Sequence, residues 1–170
     1  MQGVWTQDLF EYHGEFASFS KSGFGAKPVQ KPHPPIFFGG LRLPKLAAKR
    51  VAKYGLAGWI GVQDTPDDIK HWRSAIKEQL EMLGSPRSVD DLEIASMLWF
   101  DITSEKTDQT PKGKLTPSMT GTVQQITDNL KRYKEAGLTL PLLWPPFTGV
   151  PTAKTLVDLR RLREDILPKI

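Results

Sequence analysis

The chain has 170 residues, 39% of them hydrophobic and 25% charged, enough for one ordinary core in a soluble domain. Its 23 Lys and Arg against 19 Asp and Glu give a net charge of +4 spread along the chain, so no basic arm points to nucleic acid, while anionic small ligands suit the balance. The absence of cysteine excludes disulfides, thiolate metal sites and cysteine catalysis.

No charged stretch followed by an apolar one opens the chain, and its most apolar run, Leu138 to Pro146, is broken by prolines and too short for a membrane span. A cytoplasmic protein without membrane contact is the expectation. The first distinctive stretch, "LFEYHGEFASF" at residues 9 to 19, sets aromatic residues around His13-Gly14 and reads as a β-hairpin. "GFGAKP", from Gly23, lacks the third glycine and the preceding strand of a dinucleotide fingerprint, so it reads as loop.

From residue 35, short apolar runs alternate with amphipathic ones. Pro35 to Phe38 predicts a strand, and Pro44 to Tyr54 a helix with Leu43, Ala47, Ala48, Val51 and Ala52 on one face, stopped by Gly55. Ala57 to Gly61 predicts the second strand. Thr65-Pro66 then signals a helix start, with Ile69, Trp72, Ile76, Leu80 and Leu83 on its core face down to Gly84. Glu93 to Ile102 is apolar on both faces, as a covered strand of an α/β fold would be.

A long polar loop, residues 103 to 121, follows and reads equally as a lid or as plain surface. Thr122 and Gln125 form a capping-box pattern ahead of Val123, Ile126, Leu130 and Tyr133, with Gly137 at the C′ position. Leu140 to Trp144 predicts a fourth strand. The last helix spans about Thr152 to Ile166, with Leu156, Leu159, Leu162 and Ile166 expected to face inward.

The order βαβαβαβα implies parallel strands joined by right-handed crossovers. Four such units make half of a (β/α)8 barrel, which needs about 250 residues when complete. A small doubly wound sheet is the competing architecture. One domain is expected, with residues 1–34 as hairpin and lead-in and 35–170 as the four βα units.

Several stretches carry a family resemblance in order: "VWTQDLFEYHGEFASFS", "KPVQKPHPPIFFGG", "LAGWIG", "TPDDIKHWRSAI" and "GTVQQITDNLKRYKEAGL". Together they resemble the C-terminal half of the bacterial luciferase-like monooxygenases, TIM-barrel oxidoreductases that use reduced FMN or coenzyme F420. The resemblance implies that the hairpin is an insertion beside the active site and that Pro34-Pro35-Ile36 opens the fifth barrel strand. It also implies that the loop after that strand meets the cofactor phosphate, which assigns cofactor binding to Gly39, Gly40, Leu41 and Arg42. Backbone N–H groups and a helix dipole suit such a phosphate site.

The chain departs from the family in three places. Leu41-Arg42-Leu43 follows the glycines where relatives often carry Asn or Ser, so Arg42 would replace an amide or hydroxyl by charge. Ala57 stands where an Asp is usual before Gly-Trp. The first four barrel strands, which supply most proposed catalytic residues in the family, have no counterpart, so no catalytic residue is assigned.

Each candidate has a plain structural reading beside the functional one. The glycine pair also serves as a strand-to-helix turn. Lys45, Lys49 and Lys53, four residues apart, read as a solvated stripe. His13 reads as a turn residue, His33 as fixing the approach to the strand and His71 as surface, and the three lack carboxylate partners at ligand spacing, so no metal is expected. Trp144 to Phe147 lies at the ligand end of the last strand, either bordering the cofactor or plugging the core.

The function implied by the resemblance is hydride transfer or oxygen activation on a small-molecule substrate, through F420 or FMN. The alternative is a non-catalytic half-barrel, a remnant or an assembly module. A half-barrel exposes two unpaired strand edges, which predicts a homo-oligomer or pairing with a complementary N-terminal half.

Overall fold

The computed structural model describes residues 1–40, 45–108, 119–145 and 151–170. They divide into two compact units, Met1–Ile36 and Phe37–Ile170.

The first unit holds a short helix α1 (Gln2–Thr6) and an antiparallel hairpin of β1 (Leu9–His13) and β2 (Ser18–Gly23). His13 ends β1 opposite Ser18, and its ring Nδ1 lies 2.8 Å from the Ser18 hydroxyl, so it serves the turn. Phe10, Tyr12 and Phe24 all contact the Phe19 ring. The Lys27 ammonium donates to the carbonyls of Val4 and Gln7, and His33 packs against Trp5, which ties the lead-in back to α1.

The second unit is a parallel α/β layer. Its strands are β3 (Phe37–Gly39), β4 (Gly58–Val62), β5 (Glu93–Ile102), β6 (Met119–Gly121) and β7 (Leu140–Trp144). β3 pairs β4, β4 pairs β5, and β7 pairs the Ala95–Trp99 part of β5, all parallel. β6, a three-residue strand at the end of the long loop, was not foreseen and pairs Phe100–Ile102.

The main strands lie side by side in chain order, with no reversal. Successive right-handed crossovers in one direction place every helix on the same face, which is the barrel arrangement rather than the doubly wound one. The helices α2 (Lys45–Lys53), α3 (Pro66–Met82) and α4 (Val123–Ala136) pack in that sequence, α2 on α3 and α3 on α4. The fold is therefore four βα units equivalent to half of a (β/α)8 barrel.

Local chemistry fixes the helix bounds. Thr65 and Asp68 form a reciprocal capping box with Pro66 in the first turn, and Thr122 and Gln125 form another at α4. Gly137 ends α4 in the left-handed region at φ 93°.

Alternation along β5 sends Ile94, Ser96, Leu98, Phe100 and Ile102 to the helix side, where all five are buried. Register adds Phe38, Trp59 and Leu143 to that side. Against them pack Val51, Ile69, Trp72, Ile76, Leu80, Ile126, Leu130 and Tyr133. Leu83, expected in this face, is the C-cap of α3 and half exposed.

The last helix departs most from expectation. α5 (Thr152–Arg161) continues through a π turn (Leu162–Ile166) into a 3-10 turn (Leu167–Lys169). Leu162 and Ile166 do pack inward, but Leu156 and Leu159 are 62% and 45% exposed. The physical reason is an ionic anchor. Lys154 pairs with both Asp101 of β5 and Asp158, and the buried Asp158 carboxylate accepts the Ile102 N–H, so the polar face of α5 is the docked one.

Gly137→Ala should cost about 1–2 kcal/mol, because a Cβ at positive φ also runs into the Arg73 side chain. Urea unfolding followed by far-ultraviolet circular dichroism measures it, and an unchanged midpoint would contradict this account.

Candidate functional site

Parallel strands place all their C-terminal ends on one rim, where active sites of barrels lie. Here that rim carries Gly39-Gly40 at the end of β3, Gln63-Asp64 after β4, the end of β5 at Asp101 and Ile102, and Trp144 at the end of β7.

The glycine pair is partly explained by the sheet. Gly39 is the last residue of β3 and faces Ile60, and a Cβ there would touch the Ile60 carbonyl at 3.0 Å. The Gly40 N–H donates to that same carbonyl at 3.1 Å. Gly40 thus spends its amide on the ladder. Leu41 and Arg42, the other predicted cofactor residues, lie outside the described residues, as do Leu43 and Pro44.

The most constrained feature of the rim lies next to β4. Gln63 has φ 54°, the one non-glycine at positive φ among the described residues, and its N–H extends the ladder by donating to the Met97 carbonyl at 2.8 Å. Gln63 and Asp64 are both buried. Asp64 is gripped from three elements: Ser96 of β5 donates to its Oδ2 at 2.7 Å, the Trp72 indole of α3 donates to its Oδ1 at 3.1 Å, and the Tyr133 hydroxyl of α4 donates to its backbone carbonyl at 2.6 Å.

Gly61 makes room for this carboxylate, since a Cβ there would stand 1.8 Å from Asp64 Oδ2. Burial pushes the Asp64 carboxyl above its ordinary value, and the Ser96 and Trp72 hydrogen bonds only partly oppose that. At Lys154 burial acts to lower the pKa, but the hydrogen bonds to Asp101 and Asp158 outweigh it and the ammonium is held above its usual range. Both clusters brace the rim.

The face of the sheet away from the helices is apolar and aromatic. Register and alternation give it Ile60 and Val62 from β4, Ala95, Met97 and Trp99 from β5, and Leu140, Leu142 and Trp144 from β7, with Trp99 opposite Trp144. Trp99 and Trp144 are each 37% exposed. Such a surface offers flat apolar area to an aromatic ring system.

Other candidates separate from the rim. His33 has its Nδ1 within 2.7 Å of the Pro34 carbonyl and its Nε2 within 3.2 Å of the Gln2 amide, consistent with fixing the lead-in. His71 is exposed on α3, and Lys45, Lys49 and Lys53 are exposed on α2. Among the described residues no group of three or more His, Asp or Glu gathers to hold a metal, and no helix is long and apolar enough to cross a membrane. The loop expected as a lid lies outside the described residues between 109 and 118, as do Pro146 and Phe147.

The sequence reading overlooked the Asp64 cluster. Its signals were present: a single Ser among the helix-facing residues of β5, and an Asp two residues past the end of a strand, at the ligand end.

Two substitutions test the bracing. Gly61→Ala should destabilise by about 2–3 kcal/mol by displacing a buried carboxylate. Because the Asp64 pKa is raised in the fold, stability should fall as pH rises from the ordinary value of 3.8 through the folded value, and Asp64→Asn should remove that fall. Denaturant midpoints against pH, wild type minus variant, give the result, and parallel curves would refute it.

No protein-family model matches the chain. An FMNH2-dependent dimethylsulfone monooxygenase of Pseudomonas putida is 38% identical over 74 residues, covering 41% of this chain and 20% of that protein. Among solved structures, an F420-dependent secondary alcohol dehydrogenase aligns with TM-score 0.70 at 17% identity over 99% of this chain and 58% of its own. A monooxygenase from Streptomyces bottropensis aligns with TM-score 0.72 at 14% identity over 98% and 57%. The chain thus spans under two thirds of each. The stretch of sequence identity with the first and the fold shared with the other two make the chain similar to bacterial luciferase-like oxidoreductases.

Proposed function

We propose that this chain is the C-terminal half of an oxidoreductase of the luciferase-like type, cytoplasmic and acting on a small molecule through reduced FMN or coenzyme F420. The observation that carries this is the inner face of the sheet, where Trp99 and Trp144, paired in register, flank an apolar surface of Ile60, Val62, Met97 and Leu142. The relatives named above as FMNH2- and F420-dependent support the cofactor class.

The cofactor, when bound, supplies the hydride or the reducing power that activates oxygen. This chain's residues bind and shield. Ile60, Val62, Met97 and Leu142 would keep water from one face of the ring, with Trp99 and Trp144 flanking it, and Gly39, Gly40, Leu41 and Arg42 would hold the phosphate, Arg42 by its charge. The Asp64 cluster holds the β4 rim rigid beneath it. No acid or base is assigned, because the family's catalytic groups fall in the half not represented here. Residues 1–34 form the insertion and 35–170 the four βα units of a single domain.

A second reading is favoured by the two edges of the sheet, at β3 and β7, that carry no strand neighbour among the described residues: an assembly module without a reaction centre, completed by a second copy or by a complementary N-terminal half.

Fluorescence titration with FMN and with F420 separates them. The first reading expects saturable binding of one, weakened about tenfold in Arg42→Ala and partly kept in Arg42→Lys. Binding of neither, alone or in a completed barrel, would leave the assembly reading.

A further inference from the structure

A groove of about 450 Å³ opens on the helix side of β7, the face opposite Leu142 and Trp144, walled by Leu130, Leu138, Pro141, Leu143, Leu167 and Ile170. Three parts of the second unit build it. α4 supplies Leu130, β7 and the residues before it supply Leu138, Pro141 and Leu143, and the turns after α5 supply Leu167 and Ile170. Its size falls within the roughly 300–1,000 Å³ of small-molecule sites.

The third wall is irregular backbone held at both ends. After Arg161, α5 widens into its π turn and then tightens into the 3-10 turn, which leaves Leu167 54% exposed beside the groove. Ile166, fully buried, pins this path to the core, and the Lys134 ammonium ties it to α4 by donating to the Ile170 carbonyl at 3.0 Å. π turns are rare and recur at functional sites. A wall so fixed keeps the groove open as a standing feature of the fold.

The lining selects the occupant. Tyr133 gives its hydroxyl to the Asp64 carbonyl, Thr139 gives its own to the Glu93 carboxylate, and Arg73 pairs with Asp90. Lys134 is exposed at the mouth, where solvent screens its charge. Among the described residues no lining side chain keeps a buried nitrogen or oxygen without a partner. A polar or charged group carried into the groove would therefore lose its hydration without a bond in return. We propose that the groove is a binding site for an uncharged, largely apolar small molecule about the size of two linked rings. The site lies on the helix side of the sheet and does not depend on the cofactor reading.

The test is a fluorescence titration of the chain with N-phenylnaphthylamine, an uncharged pair of ring systems, which should show saturable binding of one molecule per chain. Leu167→Asp, which adds a charge to the wall, and Leu167→Trp, which fills the space, should each weaken binding at least about tenfold. Both should leave the melting curve of the free chain unchanged, because Leu167 is exposed. Leu140→Lys, on the inner face, should leave probe binding as it is. Anilinonaphthalenesulfonate, the same ring pair with an anionic group, should bind at least about tenfold more weakly. Absence of saturable binding overturns the site, as does binding indifferent to both Leu167 substitutions. Loss of binding in Leu140→Lys, or displacement of the probe by FMN, would place it on the inner face and overturn the site equally. Tighter binding of the sulfonate would overturn the uncharged class. Exclusion of the probe by a homodimer seen in sedimentation velocity would make a second copy the occupant and refute a small-molecule site.

Discussion

The Asp64 carboxylate is held where water does not reach, and that one choice ties together the elements on which the rim depends. Its oxygens take the hydroxyl of Ser96 and the indole N–H of Trp72, while its carbonyl takes the phenol of Tyr133. A strand and two helices that share little sequence proximity are thereby set against the end of β4. An isolated buried carboxylate is costly, so the arrangement persists only while all three donors are in place. Gly61 supplies the space and Gln63 absorbs the backbone turn at positive φ, a conformation that surrounding contacts must enforce. The rim is rigid at β4 because of polar bonds made on the opposite side of the sheet from the proposed ring.

Much of the fold is legible in the residues because local signals agree. Thr65-Pro66 with Asp68, Thr122 with Gln125, and Gly137 each perform the structural task their type suggests. The strand order is not legible in this way. Four βα units fit a barrel half or a doubly wound sheet equally well until pairing is known, and it is the unreversed order β3-β4-β5-β7 that decides. The site was less readable. Gly39-Gly40 drew notice as a motif, but the Gly40 amide is engaged by Ile60, a fact no spacing reveals. Asp64 escaped notice because its partners lie 8, 32 and 69 residues away.

The misreading of α5 has the most consequence. Leucines at helical spacing imply a buried stripe only if apolar burial is what docks the helix. In α5 the docking is ionic, through Lys154, Asp101 and Asp158, and the apolar positions turn outward. A helix so placed buries its charges first and leaves its leucines without cover. Surface of that kind rarely stays open in a folded protein.

The inner face of the sheet obeys the same logic from the other side. Ile60, Met97 and Leu142 would be a liability in an isolated layer, as would the edges of β3 and β7 that no strand among the described residues covers. Filling that face needs side chains from strands beyond those among the described residues, and the proposed flat cofactor would cover only part of it. Under the proposed function, cofactor binding and closure of the sheet would therefore be coupled. Each removes apolar surface that the other leaves exposed, so a closing half and a bound ring should stabilise one another even without direct contact between them.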